Sequence, residues 1–63
     1  MSTETSRLLD NVDEALKSVV RNLANARLEK EGTREEAIHV GEARRKLQVA
    51  VSIIDAMPLY NPD

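Results

Sequence analysis

The residues best able to do chemistry gather in the second half of the chain. Glu36-Ala-Ile-His39 sets a carboxylate and an imidazole three residues apart, on one face of any helix that holds them. This is the Glu-x-x-His spacing of di-iron bundles, where two such motifs and two further Glu residues converge, and a homodimer would supply two copies with Glu29 as the extra carboxylate. Both residues also have a plain structural use. Glu36 stands three places after Thr33, the spacing of a helix-capping box, and His39 flanks an apolar stripe as a partly exposed helix residue does. No metal is assigned to them.

A second group is cationic. Arg34 and the run Arg44-Arg45-Lys46 carry groups that suit phosphate oxygens. Arg34 falls in the first turn of its helix, where unpaired N–H groups and the positive end of the dipole already favour an anion. Gly41 removes a side chain where a phosphate or ribose would approach the backbone. The candidate ligand-binding set is therefore Arg34, Arg44 and Arg45, with His39 and Thr33 beside them. Glu42 competes for Arg45 and Lys46 at spacings of three and four, and Glu35 and Glu36 oppose an anion at the first turn. A site that wins against them draws Arg residues from two subunits. On the other half, Asn22 and Asn25 beside Arg21 offer hydrogen-bonding edges. Catalysis has no comparable set: Cys is absent, the single His has no Ser/Asp constellation, and a chain with few loops has nowhere to build a concave pocket within one subunit. The expectation is a non-enzyme with no cofactor.

Two helices must position these residues. The spacing predicts an all-α chain, a two-helix antiparallel hairpin with helix 1 over about 5–30 and helix 2 over about 34–57, forming one domain over residues 1–63. Helix 1 begins among the hydroxyls of Thr3 to Ser6 and carries Leu9, Val12, Leu16, Val19, Leu23 and Ala26 in a strict alternation of three and four, the seam of a coiled-coil-like helix. Leu8 and Ala15 widen that stripe on one flank, and Val20, Ala24 and Leu28 make a second row on the other. Lys30-Glu31-Gly32-Thr33 is the interior break, with Gly32 suited to a left-handed residue after helix 1 and Thr33 to the N-cap of helix 2. Helix 2 carries Val40, Ala43, Leu47, Ala50, Ile54 and Met57 at the same period and stops at Pro58. Around its far half the chain is apolar nearly all round, so Leu47, Val49, Val51, Ile53 and Ile54 exceed what one partner helix covers and are expected to form an oligomer interface. In the tail, Leu59 and Tyr60 are placed to fold back or clasp a neighbour.

Composition bounds the rest. A chain of 63 residues is marginal as a folded monomer, and without Cys it has no disulfide or thiolate metal site to brace it, which points to self-association. One Tyr and no Phe or Trp, with a net charge of −2, argue against nucleic acid as a partner. No run approaches the ~20 apolar residues of a membrane span, and the start lacks a signal pattern, so a cytoplasmic location is the expectation.

The rod with heptad seams looks like the Rop-type hairpins, which dimerise into antiparallel four-helix bundles and in one case bind paired RNA loops. That likeness implies a four-helix bundle and a regulatory or protein-interaction dimer without a small ligand. A second likeness runs from Leu23-Ala24 through Thr33-Arg34-Glu35 and Ile38-His39-Val40 to Ile53-Ile54. It resembles the hairpin region of phage nucleotide sponges, small helical oligomers that sequester the cyclic-nucleotide signals of bacterial defence. The resemblance implies a viral anti-defence protein of the host cytoplasm, a homo-oligomer that sequesters a small anionic ligand such as a cyclic nucleotide.

Overall fold

The computed structural model describes residues 3–58, which form two helices, α1 (Thr3–Arg27) and α2 (Arg34–Ala56), packed antiparallel as a hairpin. The rod measures 52 × 19 × 13 Å. Two helices, and not four, make up the described chain, which corrects the expectation of a four-helix bundle: helices of 25 and 23 residues take up nearly all of its length. The roles expected of Leu59 and Tyr60 lie outside the described residues.

α1 ends earlier than its periodicity suggests. The N–H groups of Leu28 and Glu29 donate to the carbonyls of Asn25 and Ala26, both at 3.1 Å, so the chain tightens to i→i−3 bonds where three more helical residues were expected. Gly32 has a φ of +80°, the left-handed conformation anticipated for it, but it serves the entry to α2 rather than the exit from α1. The next residue, Thr33, caps α2. Its hydroxyl accepts from the Glu36 N–H at 3.3 Å and donates to the Lys30 carbonyl at 2.7 Å. The Thr33 N–H already donates to Lys30 at 3.3 Å, so the Glu36 carboxylate reaches one residue further back and accepts from the Gly32 N–H at 3.0 Å. At the other end Met57 turns extended and its N–H donates to the Ile54 carbonyl at 3.1 Å.

The helices meet through a seam that keeps every second expected position, Val19 and Met57 among them, and replaces the others by the residue one place upstream. Val12, Ala26, Ala43 and Ala50 are buried as anticipated, but Asn22 is buried as well, and Leu8, Ala15, His39, Lys46 and Ile53 are half-buried along the same line. Leu9, Leu16, Leu23, Val40, Leu47 and Ile54 stand outside it, 41–50% exposed. Small residues at the contact let the two helices approach closely, and the larger row beside them spreads over the flank. On the outer surface Lys17 and Asp13 form an i,i+4 pair at 3.0 Å. The hydrogen bond from Asp13, then its charge and that of Glu14, holds the Lys17 ammonium above its ordinary value.

Candidate functional site

Asn22 is the most enclosed polar side chain described, 7% exposed. Its amide donates to a Glu42 carboxylate oxygen at 3.2 Å and its carbonyl accepts from the Lys46 ammonium at 2.7 Å. Asn22 of α1 therefore reaches across the seam to link Glu42 and Lys46, whereas their expected direct pairing along α2 is not made. Asn22 was read as an outward edge that a ligand might use. The seam turns it inward instead, where an amide satisfied on both sides fixes which residues face each other.

About two turns nearer the hairpin bend, His39 faces α1. Its Nε2 lies 3.5 Å from a Glu29 carboxylate oxygen, and its Nδ1 is buried with no hydrogen-bond partner among the described residues. Glu29 thus stands beside His39 as anticipated. Glu36 is held instead by the turn, and among the described residues no three His, Asp or Glu side chains gather as a metal site would need. Thr33 is likewise used by the cap.

The three arginines do not converge within one chain. Arg34, Arg44 and Arg45 are exposed, and none makes an ion pair with a described residue. Arg34 and Arg45 lie about 16 Å apart along the axis, and the ~100° step between adjacent residues sends Arg44 and Arg45 to different flanks. Arg45 borders an open groove of about 470 Å³ whose walls include Leu8, Gln48, Val49, Ser52 and Ile53. Arg44 stands between Val40 and Leu47 on the other flank. A Cβ added at Gly41 would meet nothing within 4 Å, so α1 does not approach the chain closely at that point.

Sequence reasoning missed the sidedness of the hairpin. Relative to the seam, Leu9, Leu16 and Leu23 on α1 and Val40, Leu47 and Ile54 on α2 occupy the same rotational position. In an antiparallel pair, equal rotations about each helix's own axis carry both rows to one side, so these six side chains form a continuous apolar face, extended by exposed Val20 and Val51. The opposite side presents Asn11, Ser18 and Asn25 from α1 against Glu42 and Val49 from α2. The signal was present in the sequence as Leu8, Ala15 and Asn22, which keep the same period one residue upstream of the large row.

No protein-family model, no curated protein and no solved structure matches this chain. Among the described residues no helix is long and apolar enough to cross a membrane.

Proposed function

We propose that this chain is a non-enzymatic interaction module, a helical hairpin that self-associates into a homo-oligomer and acts through the surfaces the hairpin leaves open. The observation that carries this reading is the mismatch between core and surface. The buried apolar residues are Val12 and three alanines, while Leu9, Leu16, Leu23, Val40, Leu47 and Ile54 remain about half exposed. A fold that leaves most of its large aliphatic side chains outside its own contact gains most by covering them with another chain. A regulatory or protein-interaction dimer of the Rop-like kind, without a small-molecule ligand, fits this arrangement best. Light scattering tests the reading, which requires a mass above that of one chain.

A second reading keeps the sequestering role that the sponge resemblance implies, with a small anion such as a signalling nucleotide as ligand. Arg45 favours it, because its guanidinium borders an apolar groove with Gln48 and Ser52 nearby, a pairing that suits a charged group attached to a flat apolar one. Thermal shift over a panel of cyclic nucleotides separates the two. Ligand that binds only the folded chain raises the melting temperature by mass action, and Arg45→Ala would abolish that rise. No shift with any nucleotide leaves the interaction module as the function.

A further inference from the structure

We infer that the groove beside Arg45 holds a linear aliphatic carboxylate of about ten carbons, taken from solution one molecule at a time. The inference rests on the small-anion reading of that groove, and the walls specify the rest of the ligand. Leu8, Val49, Ile53 and Ala56 line it with aliphatic carbon, Arg45 and Gln48 stand at the end nearer the turn, and Ser52 lies between. Among the described residues there is no Phe, Tyr or Trp on which a flat base could stack. A flexible alkyl chain needs no such platform.

Charge fixes which way the ligand lies. Arg45 is the one charged residue on the walls, and Glu42, a turn earlier on α2, is taken up by the Asn22 amide. The Arg45 guanidinium makes no ion pair with a described residue, so its planar fork is open to the two oxygens of a carboxylate. At the far end Asp55 adjoins Ala56 and Glu4 stands one turn before Leu8, where a carboxylate would meet like charges. The acid therefore goes to Arg45 and the chain runs towards Ala56. Length follows from the same register. Arg45 and Ala56 are about 16 Å apart along the helix, and a zigzag of ~1.5 Å carbon–carbon bonds advances about 1.25 Å per carbon. Ten carbons cover about 11 Å, and a contact of about 3 Å to the guanidinium takes up much of the remainder.

The test is calorimetry on the full chain with hexanoate, octanoate, decanoate and dodecanoate, each kept below the concentration at which it forms micelles. Affinity should rise about fourfold for every two carbons, half the gain of complete burial because the groove is open, and level off near ten. Arg45→Gln should weaken decanoate more than about tenfold and leave neutral decanol within about twofold of the parent. Val49→Glu, which sets a carboxylate in the groove, should abolish decanoate binding; both substitutions stand at exposed positions and spare the seam. Methyl spectra locate the ligand: Leu8, Val49 and Ile53 should shift, with Leu16 and Leu47 on the other flank unmoved. Decanoate that shifts Leu16 and Leu47 instead, or binds Arg45→Gln as it binds the parent, coats the apolar face as a surfactant and overturns the inference. Cyclic nucleotides bound through Arg45, with no heat from any alkyl carboxylate, overturn the aliphatic ligand and spare the small-anion reading. No binding of either kind overturns both, and a mass above one chain would still uphold self-association.

Discussion

Asn22 shows how much depends on a single side chain in a seam this thin. It gives one hydrogen bond to Glu42 and takes one from Lys46, and both of those groups are themselves partly buried. Asn22→Ala leaves a carboxylate and an ammonium without their bridge, and chemical denaturation should show a loss of about 1–3 kcal/mol. The two glycines separate in the opposite way. Gly32 sits at a φ of +80°, so Gly32→Ala should cost about 1–2 kcal/mol although its new methyl would meet nothing. Gly41 is helical with open space around it, so Gly41→Ala should stabilise by about 1 kcal/mol in the same melts. The left-handed conformation of Gly32 was legible because glycine adopts it without strain, although it was read as the exit from α1 and not as the entry to α2. Asn22 was not, since a polar residue next to Leu23 gives no sign of which of the two faces inward.

At the scale of the element, the turn and the second helix could be read closely, and the first helix less so. Thr33 and Pro58 bracket α2 through local chemistry, and α2 runs Arg34–Ala56 as those residues require. α1 has no such stop, and its last residues depend on i→i−3 bonds around the bend that no periodic pattern contains. The seam was misplaced for a related reason. Two lines of residues one position apart both alternate by three and four, and assigning the larger side chains to the contact selected Leu9, Leu16 and Leu23 over Leu8, Ala15 and Asn22. A two-helix contact has no third element to fill space, and the packing chose the smaller line. The cap is the element's most testable part. Thr33→Ala removes the bond to the Glu36 N–H together with the one to the Lys30 carbonyl, and circular dichroism melts should report a loss of about 1 kcal/mol, with fraying at the start of α2 visible in amide exchange.

For the whole molecule, the candidate anion site and the apolar face make different demands. Arg34, Arg44 and Arg45 were readable as a cluster because they are near in sequence, yet helix geometry spreads them over two flanks and about 16 Å, so proximity along the chain did not become proximity in space. The apolar face arose the other way, from residues as distant as Leu9 and Ile54 that only the antiparallel register brings to one side. If that face is where much of the stability resides, folding and association are one process and the melting temperature must depend on protein concentration. Tenfold dilution changes the free energy of a dimer by about 1.4 kcal/mol at room temperature. With an unfolding entropy of about 2.1 cal/mol/K per residue over two chains of 63 residues, that corresponds to a fall of about 5 °C for each tenfold dilution. Calorimetry or circular dichroism across a hundredfold range should therefore show a shift of about 10 °C, with helicity and melting temperature falling together in Leu16→Glu. A melting temperature that stays constant over that range would mean the small seam around Val12, Ala43 and Ala50 holds the hairpin by itself, and association would then be an addition to a fold already complete.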